Sequence, residues 1–354
     1  MTSQHRFQFG IEAEFALVDC HSFQPLWHPD LKFQDLNALL ESIPADDIGD
    51  RGLRLETPHR KLMPYVVEGY HLPDPDMNPV DILPKGLEIR TPICDSVDQC
   101  VGSLAELYKR LQTALASANY AAVAISFHPV QHAFRGPQNK RREDFWHWAM
   151  EAMVTYGPDI NIHLPIDFLN GLDLEDLDAK VNYYGPAVTA LTLASPIYRG
   201  GLWTIRGRVG KSVRTYHRSV IAPAIEIHLD QEARLEFKLF DTPSNIDDFR
   251  GLLLLWLVLL LNSGLSGRAT RETRVYDLGA VAQFGLDTET VSDRAAEVLN
   301  CASSVLDPYG FDPAPLEVFR NRLETGHLPA DDIVDLYRRE QSVPGVLRHL
   351  TLMA

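Results

Sequence analysis

The chain has 354 residues, 45% of them apolar and 23% charged, a composition that excludes a disordered, collagenous or membrane-embedded protein. Its 48 Asp and Glu against 33 Lys and Arg leave a formal net charge of -15, which opposes the phosphate-neutralising electrostatics of a nucleic-acid or anionic-membrane partner. Cys20, Cys94, Cys100 and Cys301 show no C-x-x-C spacing, so neither a disulfide framework nor a thiolate zinc site is expected, and a reducing cytoplasm is the expected location.

No basic stretch followed by an apolar one opens the chain, so nothing there is expected to be a removable leader. Residues 6–18 alternate, with Phe7, Phe9, Ile11, Ala13, Phe15 and Leu17 on one face and Gln8, Glu12 and Glu14 on the other, which predicts a strand. Pro58, Pro64, Pro73, Pro75, Pro79 and Pro84 then crowd one stretch, predicting a long ordered loop or lid rather than helix or central sheet. Its His59, Arg60, Lys61, Tyr65, Glu68, Tyr70 and His71 make it a candidate for substrate capture. Strand alternation returns at 86–91, 121–127, 159–166, 224–229 and 234–240, the last two reading as a hairpin around Asp230, Gln231 and Glu232.

Helical patterns occupy 97–118, 143–156, 174–182 and 247–263, with more from Asp293 onward. In the second of these, Trp146, His147 and Trp148 read as core or subunit-interface packing, which would suit a homodimer. The apolar run 252–261 is half of the roughly 20 residues that span a bilayer, and Asn245, Asp247 and Asp248 precede it as capping residues, so a buried core helix is expected. Without repeats or linkers the expectation is a single catalytic domain over 1–354, with the sheet in 6–260 and a helical part in 261–354. Alternating strands have the antiparallel habit. The predicted fold is therefore α+β, a mostly antiparallel sheet with one polar, catalytic face and helices packed on the other.

That polar face carries the chemistry. Glu12 and Glu14 lie roughly 7 Å apart along one strand, joined by Glu88 and Arg90, Asn161 and His163, Glu226 and His228, and Glu236 and Lys238 from the others. Any single Glu is readily explained as solvated strand charge, but repeated carboxylates repel unless something positive sits among them. Several Glu with His and no thiolate form a hard, oxygen-rich set suited to Mg²⁺ or Mn²⁺. A second signal is the absence of acid between Asp178 and Glu226, a window holding Lys180, Arg199, Arg206, Arg208, Lys211, Arg214, His217 and Arg218. Guanidinium forks match phosphate and carboxylate oxygens, so the pair of signals points to phosphate chemistry, by preference on a nucleotide. Gly210, Lys211 and Ser212 do not complete a Walker A loop, because Ile205 stands where its first glycine belongs.

The segments FGIEAEFALVD (9–19), GLEIRTPICDS (86–96), ISFHPV (125–130), DINIHLPID (159–167), LTLASPIYRG (191–200) and ARLEFKLFDTPSNIDD (233–248) together resemble the glutamate-cysteine ligase family, specifically its shorter bacterial carboxylate-amine ligases with a glutamine synthetase-like catalytic sheet. The resemblance implies an ATP-dependent ligase that phosphorylates a carboxylate, that of glutamate or a related amino or dicarboxylic acid, and lets an amine displace the phosphate. It further implies that Glu12, Glu14, Glu88 and Glu236, with Asn161 and His163, hold Mg²⁺ or Mn²⁺. Arg199, Arg206, Arg208 and Lys238 would clamp phosphate or substrate carboxylate, and His163, Lys211, Arg214 and His228 would contact the nucleotide. The chain departs from the family pattern at Asn161, where His is usual, and at His228 and Lys238, where Arg is common. Those departures keep open a catalytically degenerate relative that binds nucleotide, metal or amino acid, and a small-molecule phosphotransferase.

Overall fold

A computed structural model of the protein describes residues 6–76, 78–134, 150–229 and 233–352. Its main sheet has seven strands: β1 (Gln8–Asp19), β2 (Tyr65–Pro73), β3 (Pro79–Arg90), β4 (Tyr120–Val123), β5 (Pro158–His163), β10 (Ile225–His228) and β11 (Arg234–Phe237). The order is β10-β11-β5-β1-β3-β2, with β4 also on β1, and every pairing is antiparallel. This is the α+β sheet that the strand alternation predicts. Four two-residue strands form two further ribbons, β6 (Ile197–Tyr198) with β7 (Gly201–Leu202) and β8 (Thr204–Ile205) with β9 (Arg208–Val209).

The apolar face of the sheet is dry. Phe9, Ile11, Ala13, Phe15 and Leu17 of β1 are buried under α2 (Val97–Ser117), whose Leu104, Leu107, Tyr108 and Leu111 repeat at helical spacing. Phe15 and Tyr108 meet at 5.0 Å between ring centroids. Ser96 caps α2 by accepting from the Gln99 amide. Beside it lies α6 (Asp248–Leu261), apolar all round because it is covered all round. Phe237 of β11 packs on its Trp256, and its other side meets α8 (Val291–Leu306) and α9 (Glu317–Thr325). The C-terminal helices thus join the same core as the sheet. They include α7 (Arg271–Phe284), which packs on α4 (Leu174–Ala190), whereas α10 (Pro329–Glu340) and α11 (Val343–Leu347) pack with Ala16 and Val18 of β1 in a second apolar cluster. Two short helices are α3 (Ile166–Asn170), whose Phe168 packs on the main core, and α5 (Val213–Arg218), whose Val213 packs in another cluster with Trp203 and Ala282.

One expectation changes. The proline-rich stretch is no loop: β2 and β3 form a hairpin through it. Proline is tolerated there because β2 is an edge strand and because β3 pairs with β1 only from Gly86 to Arg90, so Pro79 and Pro84 lie on the part of the ribbon that projects past β1. A register shift at Glu68/Gly69 accommodates Pro84. Helix α1 (Phe33–Glu41) went unread although Phe33, Leu36 and Leu40 recur at helical spacing. The helix expected over 143–156, with Trp146, His147 and Trp148, lies mostly outside the described residues, as do hairpin residues 230–232; the described end of the former holds one 3-10 turn, Ala152–Val154.

A buried acid ties three distant stretches together. Asp241 accepts hydrogen bonds from the Ala194 amide (2.8 Å), Ser195 Oγ (3.1 Å), Ser212 Oγ (3.1 Å) and Thr215 Oγ1 (3.4 Å). Burial pushes its carboxyl above the usual range against the pull of Arg214, 3.8 Å away. Arg214, itself buried, donates to the carbonyls of Lys238 (3.1 Å) and Leu239 (3.2 Å) at the end of β11. A Cβ at Gly157 would lie 2.2 Å from the Arg214 guanidinium, so any larger residue there would displace it.

Register and burial generate two predictions. A Cβ at Gly86 would fall 2.2 Å from the Phe15 carbonyl oxygen and 2.9 Å from the Tyr156 ring. Gly86→Ala should therefore cost about 3 kcal/mol in urea denaturation, and an unchanged midpoint would contradict the β1–β3 register. His128 is buried, its Nδ1 accepts from the amides of Val130 (3.2 Å) and Gln131 (2.9 Å), and Nε2 therefore carries the proton toward the Leu26 carbonyl (3.3 Å). Burial lowers its pKa from 6.5 to about 4. The unfolded chain protonates this group first as pH falls, so its stability contribution is complete above pH 6.5 and is lost between pH 6.5 and 4, by about 2 kcal/mol at pH 5. Denaturation of wild type and His128→Asn at pH 7.5 and 5 should show a shallower loss in the variant; parallel losses would remove His128 as a source.

Candidate active site

Strand register assembles the polar face. Glu14 lies opposite Glu88, and Glu12 lies between Arg90 on β3 and Asp159 on β5. Farther across, Asn161 lies between Gly10 and Glu236, and His163 between Gln8 and Arg234; Glu236 in turn faces Glu226, and Arg234 faces His228. The structure thus brings together Glu12, Glu14, Glu88, Asn161, His163, His228, Glu236 and Lys238, as the period-two reading expects.

Cations alternate with the acids. Arg90 makes a two-pronged bond to Glu88, 3.0 Å on each arm, and reaches Glu56 at 2.8 Å. Lys85 Nζ donates to Glu14 Oε1 (2.7 Å) and to the Thr155 carbonyl (2.8 Å), while the Gly157 amide holds the other Glu14 oxygen at 3.0 Å. Lys238 Nζ sits on Glu236, with Asp159 at 3.2 Å and Glu226 at 3.5 Å. His228 Nε2 lies 3.3 Å from Glu236 and 3.6 Å from Glu226.

Compensation is uneven. Burial pushes Glu12 and Glu68 well above the usual carboxylate range, and the charge of Glu88 adds to both. Burial would raise Glu88 too, but Arg90 and hydrogen bonds from the other two carboxyls hold it down to about 2. Glu236 is pushed up to about 7 by burial and by Asp159, against Lys238 and Arg234. Such frustrated oxygen donors fit a divalent cation, which would relieve the repulsion that protonation relieves otherwise. Among the described residues Glu226, His228 and Glu236 also bring ligand atoms within 4.8 Å of one another.

A cleft of about 540 Å³ opens over this face, bordered by Glu12, Arg54, Arg90, Asn161, His163 and Arg234. Gly52, at φ +79°, lets the covering segment turn against Ile93, where a Cβ would lie 2.4 Å from the side chain. A larger cavity of about 830 Å³, bordered by Phe7, Phe168, Tyr309 and Phe311, opens on the helical side, and none of these carboxylates lines it.

The arginine-rich window is placed differently. Arg199 and Arg206 stand at positive φ in the turns of the two small ribbons, and neither they nor Arg208 line the cleft. Arg199 stacks on Tyr198, 5.1 Å from the ring centre, and Arg208 borders a separate hollow beside α10. Lys211 is paired with Asp331 of that helix, and Arg214 is the buried guanidinium described above. An acid-free window marks local charge but says nothing about which way its turns face. Of the residues between Pro58 and Pro84, Glu68 reaches the site, whereas Tyr65 donates into the core to the Leu107 carbonyl and His59 accepts from the Val67 amide. Lys85, Asp159, Arg54 and Arg234 were not singled out, although Arg234 shares the alternation of Glu236 and Lys238.

Residues 8–219 match the family model described as glutamate-cysteine ligase family 2. No curated protein matches the chain. Among solved structures, a bifunctional glutathione synthetase from Pasteurella multocida superposes with a TM-score of 0.63 at 16% identity, over 98% of this chain and 52% of that one. A glutamate–cysteine ligase from Francisella tularensis in complex with AMP gives 0.61 at 13% identity, over 98% and 88%. The ligase PafA, in its complex with the prokaryotic ubiquitin-like protein Pup, gives 0.56 at 11% identity, over 96% and 70%. The chain spans about half the length of the Pasteurella multocida enzyme, and at these identities the likeness shows a shared fold. No helix among the described residues is long and apolar enough to cross a membrane.

The cation lattice has a measurable cost when broken. Lys238→Met leaves the buried Glu236 without its ammonium and should destabilise the metal-free protein by about 3 kcal/mol at pH 8. The loss should be smaller at pH 6, where Glu236 takes a proton instead. Equal denaturation midpoints for variant and wild type at pH 8 would contradict this role.

Proposed function

Because this chain belongs to glutamate-cysteine ligase family 2, we propose that it is an ATP-dependent carboxylate–amine ligase, which converts a carboxylate to its acyl-phosphate and transfers the acyl group to an amine. The observation that carries this reading is the buried, charge-frustrated carboxylate face under an open cleft. Glu12, Glu14, Glu88 and Glu236 are the donors suited to Mg²⁺ or Mn²⁺, with His228 and Glu226 at the β10 edge. Such ions, when bound, neutralise phosphate charge and polarise the attacked phosphorus, the main demand of phosphoryl transfer.

The residues of the chain do the positioning. Lys85 and the Gly157 amide fix both oxygens of Glu14, and Arg90 fixes both of Glu88, so these carboxylates are held before any ligand arrives. Arg54 and Arg90 border the cleft and suit an acid that carries a second carboxylate, as glutamate and related amino or dicarboxylic acids do. Four free cysteines, without a disulfide, suit a cytoplasmic enzyme.

The test is ADP release from ATP and Mg²⁺ over a panel of amino acids and dicarboxylic acids, each with and without amines. ADP formation that requires both an acid and an amine is expected. Acid-dependent release with no amine requirement would make the protein a phosphotransferase instead, and silence across the panel with ATP still bound would make it a non-catalytic binder. Glu88→Gln and Glu236→Gln should each lower kcat by roughly a hundredfold or more while remaining folded by circular dichroism; full activity in both would remove the sheet face from the chemistry.

A further inference from the structure

We propose that Arg234 is a tethered cation standing in for one divalent ion on the sheet face, so that the chain binds one ion fewer than its donor set would otherwise hold. The inference rests on the metal-dependent reading above. Arg234 Nη1 lies 3.0 Å from Asn161 Oδ1, 3.3 Å from Glu12 Oε1 and 3.4 Å from Glu236 Oε2. These three oxygens come from β5, β1 and β11, three neighbouring strands, and they are a hard donor set of the kind that Mg²⁺ or Mn²⁺ selects.

An ordinary strand arginine pairs with one carboxylate across the ladder or finds water. This one is largely buried, with 17% of its side chain exposed, and a single nitrogen converges on the donors of three strands. A guanidinium keeps its charge at any working pH, so it holds the position permanently. The neutral Asn161 is its counterpart. An amide oxygen accepts from a cation at any working pH, whereas an imidazole would become a second cation once protonated. Asn161 and Arg234 therefore form a matched pair, with the amide nitrogen of Asn161 directed to the Asp159 carbonyl at 3.4 Å.

The remaining donors lie on either side of this corner. Glu68 and Glu88 flank it toward β2, and Glu226 and His228 flank it toward the β10 edge, where the three-ligand group with Glu236 stands. Those flanks are where ions are still required.

The count of bound Mn²⁺ tests this without reference to turnover. The full chain is titrated with Mn²⁺ alone and with Mn²⁺ plus ATP, free Mn²⁺ being read by electron paramagnetic resonance. Arg234→Gln should bind one more Mn²⁺ per chain than wild type, and Arg234→Lys, which keeps the charge, should bind the wild-type number. Equal, non-zero counts in wild type and Arg234→Gln would overturn the proposal while leaving the metal-dependent ligase standing. Absence of bound Mn²⁺ in wild type under both conditions would overturn both. Should Arg234→Gln unfold without metal, Mn²⁺ is expected to restore its melting transition, and failure to restore it would likewise overturn the proposal.

Discussion

Like charges brought together on one face of a sheet must be neutralised or protonated, and everything on the polar side of this protein answers to that constraint. Adjacent strands place carboxylates at cross-strand distances where they repel. Glu14 opposite Glu88 and Glu226 opposite Glu236 would disfavour the pairing of their strands if left alone. The ladder is kept by cations from the same stretches: Lys85 and Arg90 on β3, Arg234 on β11 and Lys238 just past its end. Where these fall short, at Glu12 and Glu68, burial and the charge of Glu88 push the carboxyls well above their usual range.

Holding such a face costs stability, which the other side of the sheet supplies. The apolar residues of β1 and the all-round apolar α6 lie in one continuous core that includes the C-terminal helices α7, α8 and α9. A preorganised charged surface needs this backing, because side chains that could relax away from one another would lose their arrangement. Sheet geometry supplies the spacing and the core supplies the rigidity.

The sequence was legible wherever a local period carried the information. Alternation placed Glu12, Glu14, Glu88, Glu236 and Lys238 on one face, and uniform apolarity marked α6 as buried. It was illegible where tertiary position decides. Prolines between 58 and 84 suggested a loop, since nothing local distinguishes a central strand from a ribbon that runs past its neighbour. Arg199, Arg206 and Arg208 looked like an anion clamp by composition, yet the direction in which a two-residue ribbon faces is set by packing far from it in the chain. Arg234 lay in plain view in the alternation of β11. Its meaning emerges only when β1 and β5 are set beside it, because two of the three oxygens it meets belong to residues more than seventy and two hundred positions away.

The hydroxyls gathered on Asp241 bear on how mutational data for this fold should be interpreted. Ser195, Ser212 and Thr215 surround a buried carboxylate within hydrogen-bonding distance, a constellation that a survey of lost activity would flag as a nucleophile and its activating acid. They have no opening to a substrate, being sealed in the interior. Asp241 works as a knot: it fastens the end of β11 to the start of α5, and through Arg214 it sets where the backbone of Lys238 lies. Substitutions at the knot would mimic active-site lesions from a distance, and telling the two apart requires measuring the folded fraction alongside the rate.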